Sequence, residues 1–163
     1  MPEVPYDELR WAVVFDAAVQ LGEQLSGAGR LLSGVAVDCP AAPGPIAPDL
    51  AVLRAGAGRG ARGRYGAAAV EAVLEVAHPG RDHAWARACA ESGVPSYVVV
   101  DPAAAVCTVH TAPDPGGVYR EAERVPFGND LFLPLDGRTA VLRTDGFPTP
   151  GTDPGAGRGI VDG

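Results

Sequence analysis

Two carboxylates and one imidazole are the residues of this chain whose types and spacing are best suited to chemistry. Asp49 opens a short apolar segment, and Glu75 lies inside the apolar run 70–77, VEAVLEVA. A carboxylate within such a run is costly unless it is protonated, hydrogen-bonded or bound to a cation. His78 follows three residues after Glu75, and an imidazole exchanges protons near neutral pH. If the carboxylates converge, they suit a hard divalent ion such as Mg²⁺, and His78 could serve as a ligand or as an acid/base.

The elements that must bring these side chains together are three strands in an antiparallel meander. Helical spacing of apolar residues predicts a helix over 7–25, and Gly and Pro residues delimit three strands that follow it, 31–38, 50–54 and 70–77. In a meander the start of one strand faces the end of the next. We therefore expect Asp49 and Glu75 at one edge of the sheet, with His78 beside them.

The second half of the chain predicts a crossover helix and further strands. Asp82 suits an N-cap and Gly93 a C-terminal stop, which indicates a helix over 83–92. The β-branched run 97–100 is then expected beside 70–77 in a right-handed βαβ unit. A hairpin is predicted from 106–110 and 118–125, and shorter strands at 131–133 and 139–142 are expected to complete the sheet edge. We predict one domain over 1–148 and a disordered Gly/Pro-rich tail over 149–163.

Composition and charge narrow the class of protein. The chain has 163 residues and a formal net charge of -7, and all 13 of its basic residues are arginine. A negative total lowers the expectation of nucleic-acid binding without removing it. No apolar run reaches the length of a membrane span, and the acidic, proline-containing start is unlike a signal peptide. The prediction is a cytoplasmic protein without a membrane partner.

Three blocks of the sequence carry a family resemblance that extends over roughly 30–148. Residues 48–50 (PDL) are similar to a PD motif, residues 73–76 (VLEV) to an acidic strand, and residues 92–102 (SGVPSYVVVDP) to a block that reads AGVPEYWLVDP. Together they resemble the Uma family of restriction-endonuclease-like proteins, a branch of the PD-(D/E)xK superfamily. The resemblance implies an α/β fold with a restriction-endonuclease-like αβββαβ core, a mixed sheet and a C-terminal β-hairpin extension.

The resemblance also implies a chemistry for the acidic pair. In the family, residues matching Asp49 and Glu75 hold Mg²⁺ for phosphodiester hydrolysis, and a lysine on the crossover helix supplies an amine. This chain places Trp85 at the position of that lysine and has no other lysine to replace it. Arginine remains protonated and cannot substitute for an amine that exchanges protons.

Three functions stay open at this point. The first is a Uma-type, Mg²⁺-dependent nuclease in which His78 replaces the lysine as base. The second is a repurposed scaffold that binds a small organic molecule, or acts on it by acid/base chemistry, in a pocket with Trp85, His83 and Arg81. The third is a non-catalytic partner subunit, a pseudoenzyme expected to form a homodimer through its sheet or its N-terminal helix. Whether the partner is a nucleic acid or a small molecule is unresolved by the sequence.

Overall fold

The computed structural model describes residues 6–78 and 80–151. Most of the predicted tail, residues 152–163, lies outside this part of the chain, and the boundary placed at 148 stays a prediction. The described elements, in chain order, are α1 (Tyr6–Gln24), β1 (Arg30–Leu32), β2 (Val37–Asp38), β3 (Leu50–Leu53), β4 (Tyr65–Gly66), a 3-10 turn (Ala67–Ala69), β5 (Val70–Val76), α2 (Asp82–Glu91), β6 (Ser96–Asp101), β7 (Val106–Asp114), β8 (Val118–Pro126), β9 (Asp130–Leu135) and β10 (Arg138–Arg143).

A six-stranded mixed sheet in the order β1-β3-β5-β6-β7-β8 forms the centre of the fold. β1, β3 and β5 are antiparallel neighbours, which confirms the predicted meander. β5 and β6 are parallel, with Glu75 opposite Val99, and α2 is the crossover between them. All seven residues of β5 are buried, as expected of a strand covered on both faces.

Two layers cover the faces of this sheet. One core joins the inner face of α1 and the β9–β10 hairpin to the sheet side chains Leu50, Val52, Leu74, Val98 and Cys107, among others. The second core joins α2 and the Pro-rich segment after β2 to the opposite sheet face. None of the described helices is both long enough and apolar enough to cross a membrane.

The short strands near the C-terminus do not complete the sheet edge, so this prediction was wrong. β9 and β10 form a separate two-stranded antiparallel sheet. Leu131, Leu133 and Leu135 of β9 are buried, whereas Phe132 between them is exposed. The alternating pattern therefore buries one face of the hairpin against the α1 core. The hairpin packs on the face of the main sheet and does not pair with an outer strand.

The predicted strand over 31–38 is also divided. β1 ends at Leu32, and Gly34 turns the chain with a positive φ of 64° that favours glycine. β2 then leaves the main sheet and pairs in parallel with β4, with Val37 opposite Tyr65. The glycine that separates the two apolar halves is the sequence signal for this break.

β8 is an outer strand of the main sheet, paired along one side with β7. Successive side chains of a strand point to opposite faces of the sheet, so Arg120 and Arg124 share one face. Glu121 and Glu123 share the other face. All four are exposed.

Two tyrosines near α2 differ in how their hydroxyls are satisfied. The Tyr119 hydroxyl donates to the Val94 carbonyl at 2.8 Å. The fully buried Tyr97 hydroxyl has no hydrogen-bond partner in the part of the chain that the structure describes. We expect Tyr97→Phe to raise the free energy of unfolding by about 1 kcal/mol and Tyr119→Phe to lower it by a similar amount. Denaturant unfolding of both variants measures this, and a loss of stability in Tyr97→Phe would contradict it.

Candidate functional site

The site is built where the start of β3 meets the end of β5. Asp49 immediately precedes β3, and its backbone N–H donates to Oε1 of Glu75 at 2.9 Å. Oδ2 of Asp49 in turn accepts a hydrogen bond from the backbone N–H of Val76 at 2.8 Å. The antiparallel register that pairs Leu50 with Leu74 brings the two acids together. The structure therefore places Asp49 and Glu75 at one edge of the sheet, and their catalytic and metal-binding roles stay predictions.

A first arginine reaches this pair from α1. Nε of Arg10 donates to Oδ1 of Asp49 at 2.7 Å, and Nη2 of Arg10 contacts the same oxygen. The Asp49 side chain is only 1 % exposed, so this guanidinium supplies the cation that a buried carboxylate requires. The sequence did contain a signal for it, since Arg10 shares the helix face of the buried residues Val13, Val14 and Ala17.

A second arginine reaches the pair from the loop before α2. Nη2 of Arg81 donates to Oε2 of Glu75 at 3.1 Å. The guanidinium carbon of Arg81 also lies 4.5 Å from the ring centroid of Trp85, one helical turn further along. Trp85 therefore holds Arg81 by a cation–π contact over a carboxylate that is 0 % exposed.

Burial dominates the electrostatics of Glu75. The pKa of this carboxyl is raised from 4.5 to about 7, mainly by desolvation and secondly by the nearby charge of Asp49. The hydrogen bond from the Asp49 backbone and the charge of Arg81 oppose the shift without cancelling it. Glu75 thus exchanges its proton near neutral pH.

His83 and Trp85 line different cavities, and the pocket predicted from Trp85, His83 and Arg81 stays a prediction. His83 lines a cavity of about 500 Å³ together with His110 and Tyr119, and neither Trp85 nor Arg81 contributes to its wall. Trp85 lines a different cavity, of about 450 Å³, beside the Pro-rich segment 41–46. Helical periodicity explains the separation, because positions 83 and 85 are 200° apart around α2.

The loop between β5 and α2 also carries His78. Its backbone N–H donates to Oδ2 of Asp82 at 2.7 Å. Asp82 is the first residue of α2 rather than the predicted N-cap, and its carboxylate is directed to this loop instead of to the helix N–H groups. The role of His78 as ligand or base stays a prediction.

Asp49 lines a cleft of about 180 Å³ on the α1 side. Its walls are formed by Arg10, Trp11, Val14, Ser33, Gly34 and Asp49. Glu75 does not line this cleft. Among residues 6–78 and 80–151, no group of three or more His, Cys, Asp or Glu side chains is arranged to hold a metal ion.

Comparison with known proteins agrees with this architecture. The crystal structure of a putative nuclease belonging to DUF820 from Anabaena variabilis ATCC 29413 superposes with a TM-score of 0.54 at 16 % sequence identity, over 83 % of this chain and 74 % of that one. At this identity the likeness shows the fold alone. No curated protein matches the sequence. The model of the Uma2 family, described as putative restriction endonuclease, matches residues 10–141. Since that match spans most of the sequence, the chain belongs to the Uma2 family.

Proposed function

We propose that this chain is a non-catalytic member of the Uma2 family, which keeps the nuclease fold without hydrolysing phosphodiesters. The observation that supports the proposal is the engagement of all four carboxylate oxygens of the acidic pair. Oδ1 of Asp49 and Oε2 of Glu75 each accept from an arginine side chain. Oδ2 of Asp49 and Oε1 of Glu75 each accept a backbone N–H.

The resemblance of the family to Mg²⁺-dependent nucleases raises the question of a metal at this pair. Mg²⁺ takes six oxygen ligands in near-octahedral geometry, of which several are usually waters and one or two are carboxylates. Here Arg10 and Arg81 neutralise the two carboxylates, so a divalent ion would have to displace them and then lie between two guanidinium groups. The residues present do not fit a divalent metal.

The alternative function, acid/base chemistry on a small molecule, requires that the molecule can reach the acidic pair. A general base must approach within hydrogen-bond distance of the proton that it takes, or within one water of it. Glu75 has a suitable pKa, but its side chain is 0 % exposed and is covered by Arg81. The geometry therefore favours a structural role for the acidic pair, in which it ties α1, β3, β5 and the loop before α2 together.

Two measurements on the wild-type protein test the proposal. Plasmid and oligonucleotide substrates are incubated with Mg²⁺ or Mn²⁺, and Mn²⁺ binding is followed by electron paramagnetic resonance. We expect no cleavage and no bound Mn²⁺ at millimolar metal. Cleavage that depends on the metal and disappears in Asp49→Asn would refute the proposal.

A variant tests whether the arginines are what excludes the metal. Arg10→Ala removes the side-chain donors that Arg10 provides to Oδ1 of Asp49, and the residue lies beside the open cleft. We expect this variant to gain measurable Mn²⁺ binding, because one carboxylate loses the cation that neutralises it. Arg124→Ala, which removes an exposed arginine from β8, is the matched control and is expected to bind no Mn²⁺.

A further inference from the structure

Two of the three cysteines of this chain lie side by side in the second core. Cys39 immediately follows β2 and is 4 % exposed, and Cys89 lies on α2 and is 0 % exposed. Both are free thiols, and their side chains are hydrogen-bonded to each other. They are 50 positions apart in the sequence, so it is the fold that brings the two sulfur atoms together.

The hydrogen bond makes the two sulfur atoms unequal. The pKa of the Cys39 thiol is lowered, chiefly because the Cys89 thiol donates to its sulfur, although burial opposes this shift. The pKa of the Cys89 thiol is raised, first because its proton is held in this hydrogen bond and secondly by burial. The thiolate is the nucleophilic form of cysteine, so Cys39 is the sulfur that reacts first with an oxidant.

Cys107 provides a comparison with a buried thiol elsewhere in the same chain. It lies on β7 in the core beneath α1 and is 0 % exposed. Burial raises its pKa to about 12. Such a thiol is inert and serves as a small apolar side chain. The pairing with a second thiol therefore distinguishes Cys39 and Cys89 from an ordinary core cysteine.

The surroundings of the pair allow an oxidant to approach and the sulfur atoms to move together. The Pro-rich segment 41–46 and α2 form the walls of the cavity of about 450 Å³, where Ala42 and Ala88 lie close in sequence to the two cysteines. A disulfide requires sulfur atoms about 2.05 Å apart, closer than in a hydrogen bond. Residues 40–45 form turns and bends instead of a helix or a strand, so this side of the pair can shift while α2 stays in place.

We propose that Cys39 and Cys89 are a redox-sensitive pair, which a hydroperoxide such as hydrogen peroxide oxidises to a disulfide that fastens the Pro-rich segment to α2. In the first step the Cys39 sulfur attacks one oxygen of the peroxide. An S–O bond forms, the O–O bond breaks, and the departing hydroxide takes the thiol proton and leaves as water.

In the second step the Cys89 sulfur attacks the sulfenic acid of Cys39. The S–S bond forms, the S–O bond breaks, and the departing hydroxide takes the Cys89 proton and leaves as a second water. The two thiols lose two electrons, and the peroxide is reduced to two waters. The proposal stands on residues other than the acidic pair and holds whether or not that pair is catalytic.

The bond would join both walls of the cavity that Trp85 lines, and it would also restrict the unfolded chain. Closing a loop of about 50 residues is expected to raise the midpoint of thermal unfolding by about 5–10 °C. A dithiol is expected to reverse the change, because thiols exchange with disulfides.

One equivalent of hydrogen peroxide per wild-type chain tests the proposal, because the reaction consumes one peroxide for two thiols. Free thiols are counted by alkylation after unfolding, and the bond is located by mass spectrometry of the peptides. We expect the thiols of Cys39 and Cys89 to be lost together, Cys107 to stay free, and dithiothreitol to restore both. Three free thiols after the treatment, or a bond that includes Cys107, would overturn the proposal.

Single substitutions separate the roles of the two sulfur atoms. In Cys89→Ser, oxidation is expected to stop at the sulfenic acid of Cys39, which dimedone traps. In Cys39→Ser, the remaining Cys89 is expected to stay unmodified. Cys107→Ser is the matched control, because it removes an equally buried thiol and should keep both the disulfide and the rise of the midpoint. Equal trapping in the first two variants, or a midpoint that peroxide leaves unchanged in Cys107→Ser, would overturn the proposal.

Discussion

Glu75→Gln is expected to flatten the pH dependence of stability between pH 5 and pH 7. In the folded protein, burial raises the pKa of Glu75 from 4.5 to about 7. Between these two values the folded state keeps a proton that the unfolded chain has released, so the free energy of unfolding falls as the pH rises. The fall amounts to about 3 kcal/mol at most and levels off above pH 7. Glutamine cannot titrate, so the free energy of unfolding of Glu75→Gln should not show this fall with pH.

Denaturant unfolding at half-unit steps of pH measures the effect. Burial lowers the pKa of His110, which makes the free energy of unfolding rise with pH, opposite to the effect of Glu75. Both proteins contain His110, so the difference between their pH profiles reports Glu75 alone. Glu123→Gln removes a carboxyl from an exposed position on β8 and serves as control. Parallel profiles for wild type and Glu75→Gln would show that the buried carboxyl does not titrate near neutral pH.

Arg81→Ala is expected to lower the free energy of unfolding by about 3 kcal/mol at pH 8, because an ionised and fully buried Glu75 loses its guanidinium partner. This loss of stability is at the lower end of the range for breaking a buried ion pair, because the Arg81 side chain is 25 % exposed. At pH 5 Glu75 is protonated, and the loss should shrink to that of the contact between Arg81 and Trp85. The effect of this substitution should therefore depend strongly on pH.

Arg120→Ala provides the comparison, since it removes a surface pair with Asp114 in which the Arg120 side chain is 72 % exposed. We expect it to change stability little at either pH, because water and salt screen exposed pairs. Equal losses for Arg81→Ala at pH 5 and pH 8 would contradict the assignment of its effect to the charge of Glu75.

The sequence predicted the main sheet because its strands carry strong local signals. The apolar run around Glu75 and the β-branched run 97–100 indicated buried strands, and Gly93 marked the end of the crossover helix. The position of β9 and β10 could not be read in the same way. Alternating leucines indicate that one face is buried, but they do not say whether the strand pairs with a sheet edge or packs on its face.

The site was predictable to a lesser degree. The meander placed Asp49 beside Glu75, since strand direction alone determines which ends meet. The helix face of Arg10 could be inferred from the sequence, but its pairing with Asp49 required tertiary information, because the two residues are 39 positions apart in the chain. His83 and Trp85 line different cavities although they are close in sequence, because helical geometry decides which side chains share a wall.

The alternation of charge on β8 affects whether two molecules can pair through this outer strand. When two copies of a strand pair antiparallel about a two-fold axis, residues that lie opposite each other have positions of the same parity. Both arginines occupy even positions and both glutamates odd ones, so acid never lies opposite base in any such register. Every pairing of these segments that opposes charged side chains sets like against like, which is destabilising. This outer strand consequently discourages two molecules from joining their sheets through β8, even at high concentration.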